Sequence, residues 1–127
     1  MIRILLADDH AVVRRAFRRI LDAVPVFEDC AEAPSGKAAV ALAVSHRPDV
    51  AILDIVMPPL SGIEAARQIR ERLPDCEVAI VTMHESRELM RAALAAGARA
   101  FILKDEADRH LLPAVQAFAD HRPYLTR

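Results

Sequence analysis

Residues 2–10 read IRILLADDH. The run from Ile2 to Ala7 is short, mostly aliphatic and continuous rather than alternating, the pattern of a strand buried on both faces. It ends in two adjacent aspartates, Asp8 and Asp9. Helical spacing starts directly behind them, with apolar residues at Val12, Val13, Ala16, Phe17, Ile20 and Leu21. Neighbouring carboxylates repel each other, so a strand end carrying both implies a use for concentrated negative charge.

The same strand-then-helix unit recurs along the chain. Val26–Ala33 reads as a weaker strand between Pro25 and Pro34, followed by the alanine-rich helix SGKAAVALAVSHR with Ser35 as N-cap. DVAILDI (49–55) is a second strongly buried strand; MPPLSG breaks it, and IEAARQIRERL continues as amphipathic helix. EVAIVTM (77–83) leads into SRELMRAALAAG, closed by Gly97. ARAFILK (98–104) leads into EADRHLLPAVQAFADH (106–121), where Pro113 is expected to kink the helix or delay its start. Five such units predict an α/β fold with a parallel sheet covered on both faces. The common solution is the flavodoxin-like (βα)5 arrangement with strand order 2-1-3-4-5, whose ligand crevice lies at the carboxyl ends of strands 1 and 3.

Composition fits one soluble domain. The chain has 127 residues, 54% hydrophobic, so a core needs no disulfide or metal staple. With 17 basic and 18 acidic residues there is no general drive toward nucleic acid or membrane. Cys30 and Cys76 make no disulfide framework and no metal-ligand spacing, and the proposed order separates them by on the order of 14 Å, too far to bridge. A reduced, cytoplasmic setting is the expectation.

In that strand order, Asp8 and Asp9 lie beside Asp54, which ends the third strand. Three converging carboxylates raise one another's pKa unless a cation compensates. Oxygen donors without a Cys/His cluster favour Mg²⁺. Thr82 ends the fourth strand and Lys104 the fifth, both at the same crevice. A cation, a carboxylate, a hydroxyl and an ammonium together suit a phosphoryl group.

DDH, LDIVMPPLSG, VTM and FILKD, in that order and each at a strand end, make the chain resemble the receiver domain of two-component response regulators. DDHAVVRRAF and the tail HRPYLTR resemble the LuxR/NarL-type branch. The resemblance implies that Asp54 is the phosphoacceptor, taking its phosphoryl group from a sensor histidine kinase. Asp9, Asp54 and the backbone carbonyl of Val56 would bind Mg²⁺ directly, and Asp8 through water. Lys104 would pair with phosphoryl oxygens and Thr82 would bond them after modification. Phe101 matches the family's switch aromatic. Residues 1–121 would form the receiver, and 122–127 would begin a linker to a helix-turn-helix DNA-binding domain outside this chain. Homodimerisation on phosphorylation and transcription control belong to the same expectation.

Plainer readings stand beside these. Asp8 and Asp9 alone could cap a helix, Lys104 could snorkel at a sheet edge, and Phe101 could be simple core. Arg14, Arg15, Arg18 and Arg19 form a basic stripe, read as a solvated face or a dock for an acidic partner. His10 and His46 are expected at the surface. Val56 stands where a polar side chain could hold an attacking water, and Met83 where a small residue would leave the phosphoryl accessible; His84 could restore a polar contact. These side chains are expected to shield the aspartyl phosphate and slow its hydrolysis. A Mg²⁺-dependent phosphohydrolase is the enzymatic rival, but Val56 leaves no second acid near Asp54; the chain is expected not to be an enzyme. A stand-alone or degenerate receiver, acting as a protein-interaction module, is the other rival.

Overall fold

The computed structural model describes residues 1–125, apart from the side chain of Cys30. Strands β1 (Ile2–Ala7), β2 (Phe27–Ala33), β3 (Val50–Leu53), β4 (Glu77–Thr82) and β5 (Ala100–Leu103) alternate with helices α1 (Ala11–Leu21), α2 (Gly36–His46), α3 (Gly62–Arg72), α4 (Arg87–Ala95) and α5 (Ala107–Ala119). The sheet is parallel, in the order β2-β1-β3-β4-β5 that the sequence predicts.

Alternating strand residues build two cores. Leu5, Ala7, Leu53, Ile80 and Phe101 pack with Ala39, Ala43, Ala65, Ala66, Ile69 and Ala93 of α2, α3 and α4. Ile4, Leu6, Ile52, Val81 and Ile102 pack with Phe17 and Leu21 of α1 and Leu111, Val115 and Phe118 of α5. Both faces are therefore apolar, which is why β1, β3 and β4 read as unbroken hydrophobic runs. Ser35, Ser61 and Ser86 each accept a hydrogen bond from the amide three residues on, capping α2, α3 and α4. Gly97, at φ +108°, follows α4 where a left-handed residue is required.

Two expectations change. α5 starts at Ala107, after a 3₁₀ turn over Lys104–Glu106, and Pro113 lies inside it; the proline does not set the start. The stripe on α1 is only half solvated. Arg14 and Arg18 pair with Glu32, and Arg18 approaches Asp29 at 3.8 Å, while Arg15 and Arg19 stay exposed. Packing also carries on past residue 121: the Tyr124 amide donates to the Arg99 carbonyl (2.9 Å), and its hydroxyl lies 2.8 Å from His110 Nδ1. Cys76 is buried before β4. The expectation against a Cys30–Cys76 bridge turns on a side chain outside the described residues, as do the last two positions of the expected linker.

Candidate functional site

Strand pairing assembles the site. Ala7 is registered with Leu53, Leu53 with Ile80, and Thr82 with Leu103, so the residues that follow or end these strands meet at one edge of the sheet. The Asp54 amide bonds the Ala7 carbonyl at 2.9 Å, which locks the second acid beside the first pair. Gly62 begins α3 directly against this point. A Cβ there would fall 1.7 Å from the Asp54 carbonyl oxygen, so only glycine lets the helix approach. Sequence reasoning placed MPPLSG as a strand breaker without seeing that its glycine seats the acid.

Asp9, His10, Asp54, Val56, Thr82, Met83, His84 and Lys104 line a crevice of about 200 Å³. Asp8 is buried behind it, and Lys104 joins the two buried acids: Nζ lies 2.7 Å from Asp8 Oδ2 and 3.3 Å from Asp54 Oδ2. Burial first, then the charge of Asp8, raises the Asp54 pKa above the ordinary carboxylate range; Lys104 offsets this only in part. Burial works against the charged form of Lys104, but Asp8 and Asp54 outweigh it and its pKa is raised.

Each residue singled out in the sequence has a definite place. Thr82 is buried, and its hydroxyl oxygen accepts from the His84 amide at 3.2 Å. Val56 and Met83 are exposed at the mouth. Phe101 is buried outside this crevice. With Glu85, Ser86, Arg87, Met90 and Leu103 it lines a separate cavity of about 480 Å³ between β5 and α4. His10, expected to be a plain surface residue, is exposed but engaged. Its Nδ1 lies 3.2 Å from Asp8 Oδ1 and 2.8 Å from Asp9 Oδ1. The tight group of potential metal-ligand atoms among the described residues is Asp8, Asp9 and His10, all within 4.8 Å of one another; Asp54 is not part of it. DDH in the sequence held the signal, since a histidine next to two acids at a helix start can fold back on them.

Three acids face one ammonium, and the charge of Asp8 adds to burial in raising the Asp54 pKa. Hard oxygens on two buried residues and one half-exposed residue fit a small divalent cation at the mouth.

Comparison with known proteins identifies the family. Residues 4–116 match the family model described as response regulator receiver domain. The chain is 40% identical over 124 residues to the oxygen regulatory protein NreC of Staphylococcus epidermidis, covering 97% of this chain and 57% of that protein. It is 40% identical over 116 residues to the DNA-binding transcriptional activator DevR/DosR of Mycobacterium tuberculosis, covering 91% and 54%. Among solved structures, the signal receiver domain of NarL from Mycobacterium tuberculosis superposes with TM-score 0.89 at 34% identity, over 95% of this chain and 98% of that one. The chain belongs to the response regulator receiver domain family. Within that family it falls in the LuxR/NarL branch, and it spans a little over half the length of the curated relatives it matches. Among the described residues no helix is long and apolar enough to cross a membrane.

Proposed function

We propose that this domain is a phosphorylation switch in which Asp54 accepts a phosphoryl group from the phosphohistidine of a sensor histidine kinase. The observation that carries the reading is the single ammonium of Lys104 shared between Asp8 and Asp54, with Thr82 on the adjoining strand. A carboxylate oxygen of Asp54 attacks phosphorus. The bond from phosphorus to the imidazole nitrogen breaks, its electron pair stays on that nitrogen, and an acyl phosphate remains. Asp8, Asp9, Asp54 and the Val56 carbonyl would hold Mg²⁺, which when bound neutralises charge on the transferring group.

Lys104 is already within reach of Asp54 and would follow the new phosphoryl oxygens. Thr82 would exchange its bond from the His84 amide for a donated bond to phosphate. That exchange pulls on the loop between β4 and α4. Phe101 lines a cavity together with Glu85 and Ser86 of this loop, so it has space to shift. The two packings coexist before modification and phosphate shifts their populations. The domain is not an enzyme in the ordinary sense, because Asp54 is consumed in each event. Transcription control through a separate DNA-binding segment, homodimerisation on phosphorylation and a cytoplasmic setting complete the reading. The similarity to DevR/DosR, a DNA-binding transcriptional activator, supports the transcriptional part.

The test is incubation with Mg²⁺ and acetyl phosphate, read by intact mass and by size-exclusion chromatography. Wild type gains one phosphoryl mass, Asp54→Ala gains none, and an increase in size follows phosphorylation. Turnover of a simple phosphate ester would favour the hydrolase reading, and a wild-type mass that never changes would favour the degenerate receiver.

A further inference from the structure

Asp8 and Asp9 are adjacent in sequence but held very differently. Every polar group of Asp8 has a partner. Its amide donates to the Ala33 carbonyl (3.0 Å), Oδ1 accepts from the His10 amide (2.8 Å), and Oδ2 meets Lys104 Nζ (2.7 Å). Its carbonyl accepts from Arg14 Nη1 at 2.6 Å. Asp9 is 37% exposed in its side chain, which among the described residues meets only the imidazole of His10. The direction in which Asp9 points therefore depends on the peptide plane joining it to Asp8. The oxygen of that plane is the one Arg14 holds.

Arg14 is an unexpected residue for its position. It sits near the start of α1, where the helix dipole disfavours a cation. Two contacts compensate: the Asp8 carbonyl, and Glu32 Oε1 on β2, 3.1 Å from Arg14 Nε. A cross-link between α1 and β2 does not by itself require Arg14, because Arg18 already bridges α1 to Glu32 and Asp29. The contact that Arg18 does not duplicate is the one to Asp8. Arg15, the next residue, is exposed and makes neither.

We propose that Arg14 is a positioning residue, gripping the Asp8 carbonyl so that the peptide plane between the two acids is fixed and Asp9 is aimed at the divalent cation. This rests on the reading of the acids as cation ligands. Arg14 touches neither cation nor phosphoryl group; it acts through the backbone of Asp8, with Glu32 as its anchor. Residues behind metal ligands commonly set affinity in this way.

The test compares Arg14→Met, Arg18→Met and wild type by NMR and thermal melting. In the metal-free proteins, ¹⁵N relaxation should show the Asp9 amide more mobile in Arg14→Met than in the other two. Titration with MgCl2, followed at the Asp9 and Asp54 amides, should weaken by roughly tenfold in Arg14→Met and by less than about twofold in Arg18→Met, although both lose an α1–β2 tie. Glu32→Gln should fall between, and it carries the test if Arg14→Met does not fold. Unchanged Asp9 mobility with near-wild-type affinity in Arg14→Met overturns the proposal, as does equal weakening in Arg18→Met. If wild type itself shows no saturable response to Mg²⁺, the functional reading fails first and the proposal falls with it.

Discussion

Buried carboxylates occur at both ends of this sheet, and they are treated in opposite ways. At the amino end, Glu77 opens β4 almost wholly buried. It is surrounded by basic groups: Arg99 Nη1 at 3.1 Å and His121 Nδ1 at 2.9 Å from Oε2, with Arg70 at 3.9 Å from Oε1. At the carboxyl end, Asp8, Asp9 and Asp54 share one lysine and the imidazole of His10. One acid with three basic partners is a closed ion-pair cluster, useful for holding β4, α3, β5 and the turn after α5 together. Three acids with a surplus of negative charge form an open site that asks for a further cation. By charge balance alone, the first cluster suits a structural tie and the second suits a site that binds a cation.

Substitutions at the two ends should separate in kind as well as size. Asp54→Asn should remove phosphoryl uptake to the limit of detection by intact mass, whereas Glu77→Gln should leave it unchanged. Lys104→Met should cost about 3 kcal/mol in a metal-free chemical denaturation at neutral pH, because two buried acids lose their partner. Part of that loss should return on acidification, as Asp54 takes up a proton. Glu77→Gln should cost less, about 2 kcal/mol, because Arg70, Arg99 and His121 keep contact with water.

The pH dependence sharpens the same contrast. Asp54 has a raised pKa in the folded state, so the native protein binds its proton more tightly than the unfolded chain. Stability contributed there is present at low pH and is lost as pH rises from about 4, the ordinary carboxylate value, through the raised pKa. Asp29 acts in the same direction. Burial and its hydrogen bond with Glu32 push it up to about 7. Metal-free Asp54→Asn should therefore melt higher than wild type at neutral pH and show a flatter profile. Added Mg²⁺ should flatten the wild-type profile too. The smallest expected effect concerns the exposed mouth, where Val56→Asn combined with Met83→Ala should speed loss of phosphate severalfold. An unchanged dephosphorylation rate in the double variant would show that these side chains do not gate water.

Much of this was legible in the sequence. Unbroken aliphatic runs such as VAIL in β3 and VAIV within β4 require cover on both faces, and the helical segments between them leave few topologies. The strand order then brings Asp8, Asp54, Thr82 and Lys104 to one edge. Side-chain pairings between distant positions were not legible. Glu77 with His121, Arg14 with the Asp8 carbonyl and Tyr124 with His110 depend on rotamers and on the exact approach of elements, which spacing does not encode. Nor did the motif reading foresee that His10 would fold back onto the acid pair, because its own chemistry was judged one residue at a time.

The proposed switch depends most on which atom carries the phosphoryl group. The direct measurement is to phosphorylate the protein with a phosphohistidine donor and Mg²⁺, trap the product with borohydride, and map the peptides. An acyl phosphate at Asp54 is reduced to homoserine, so the account predicts homoserine at position 54 and unmodified aspartate at 8 and 9. Homoserine at 8 or 9, or phosphate retained on a hydroxyl or imidazole, would contradict it.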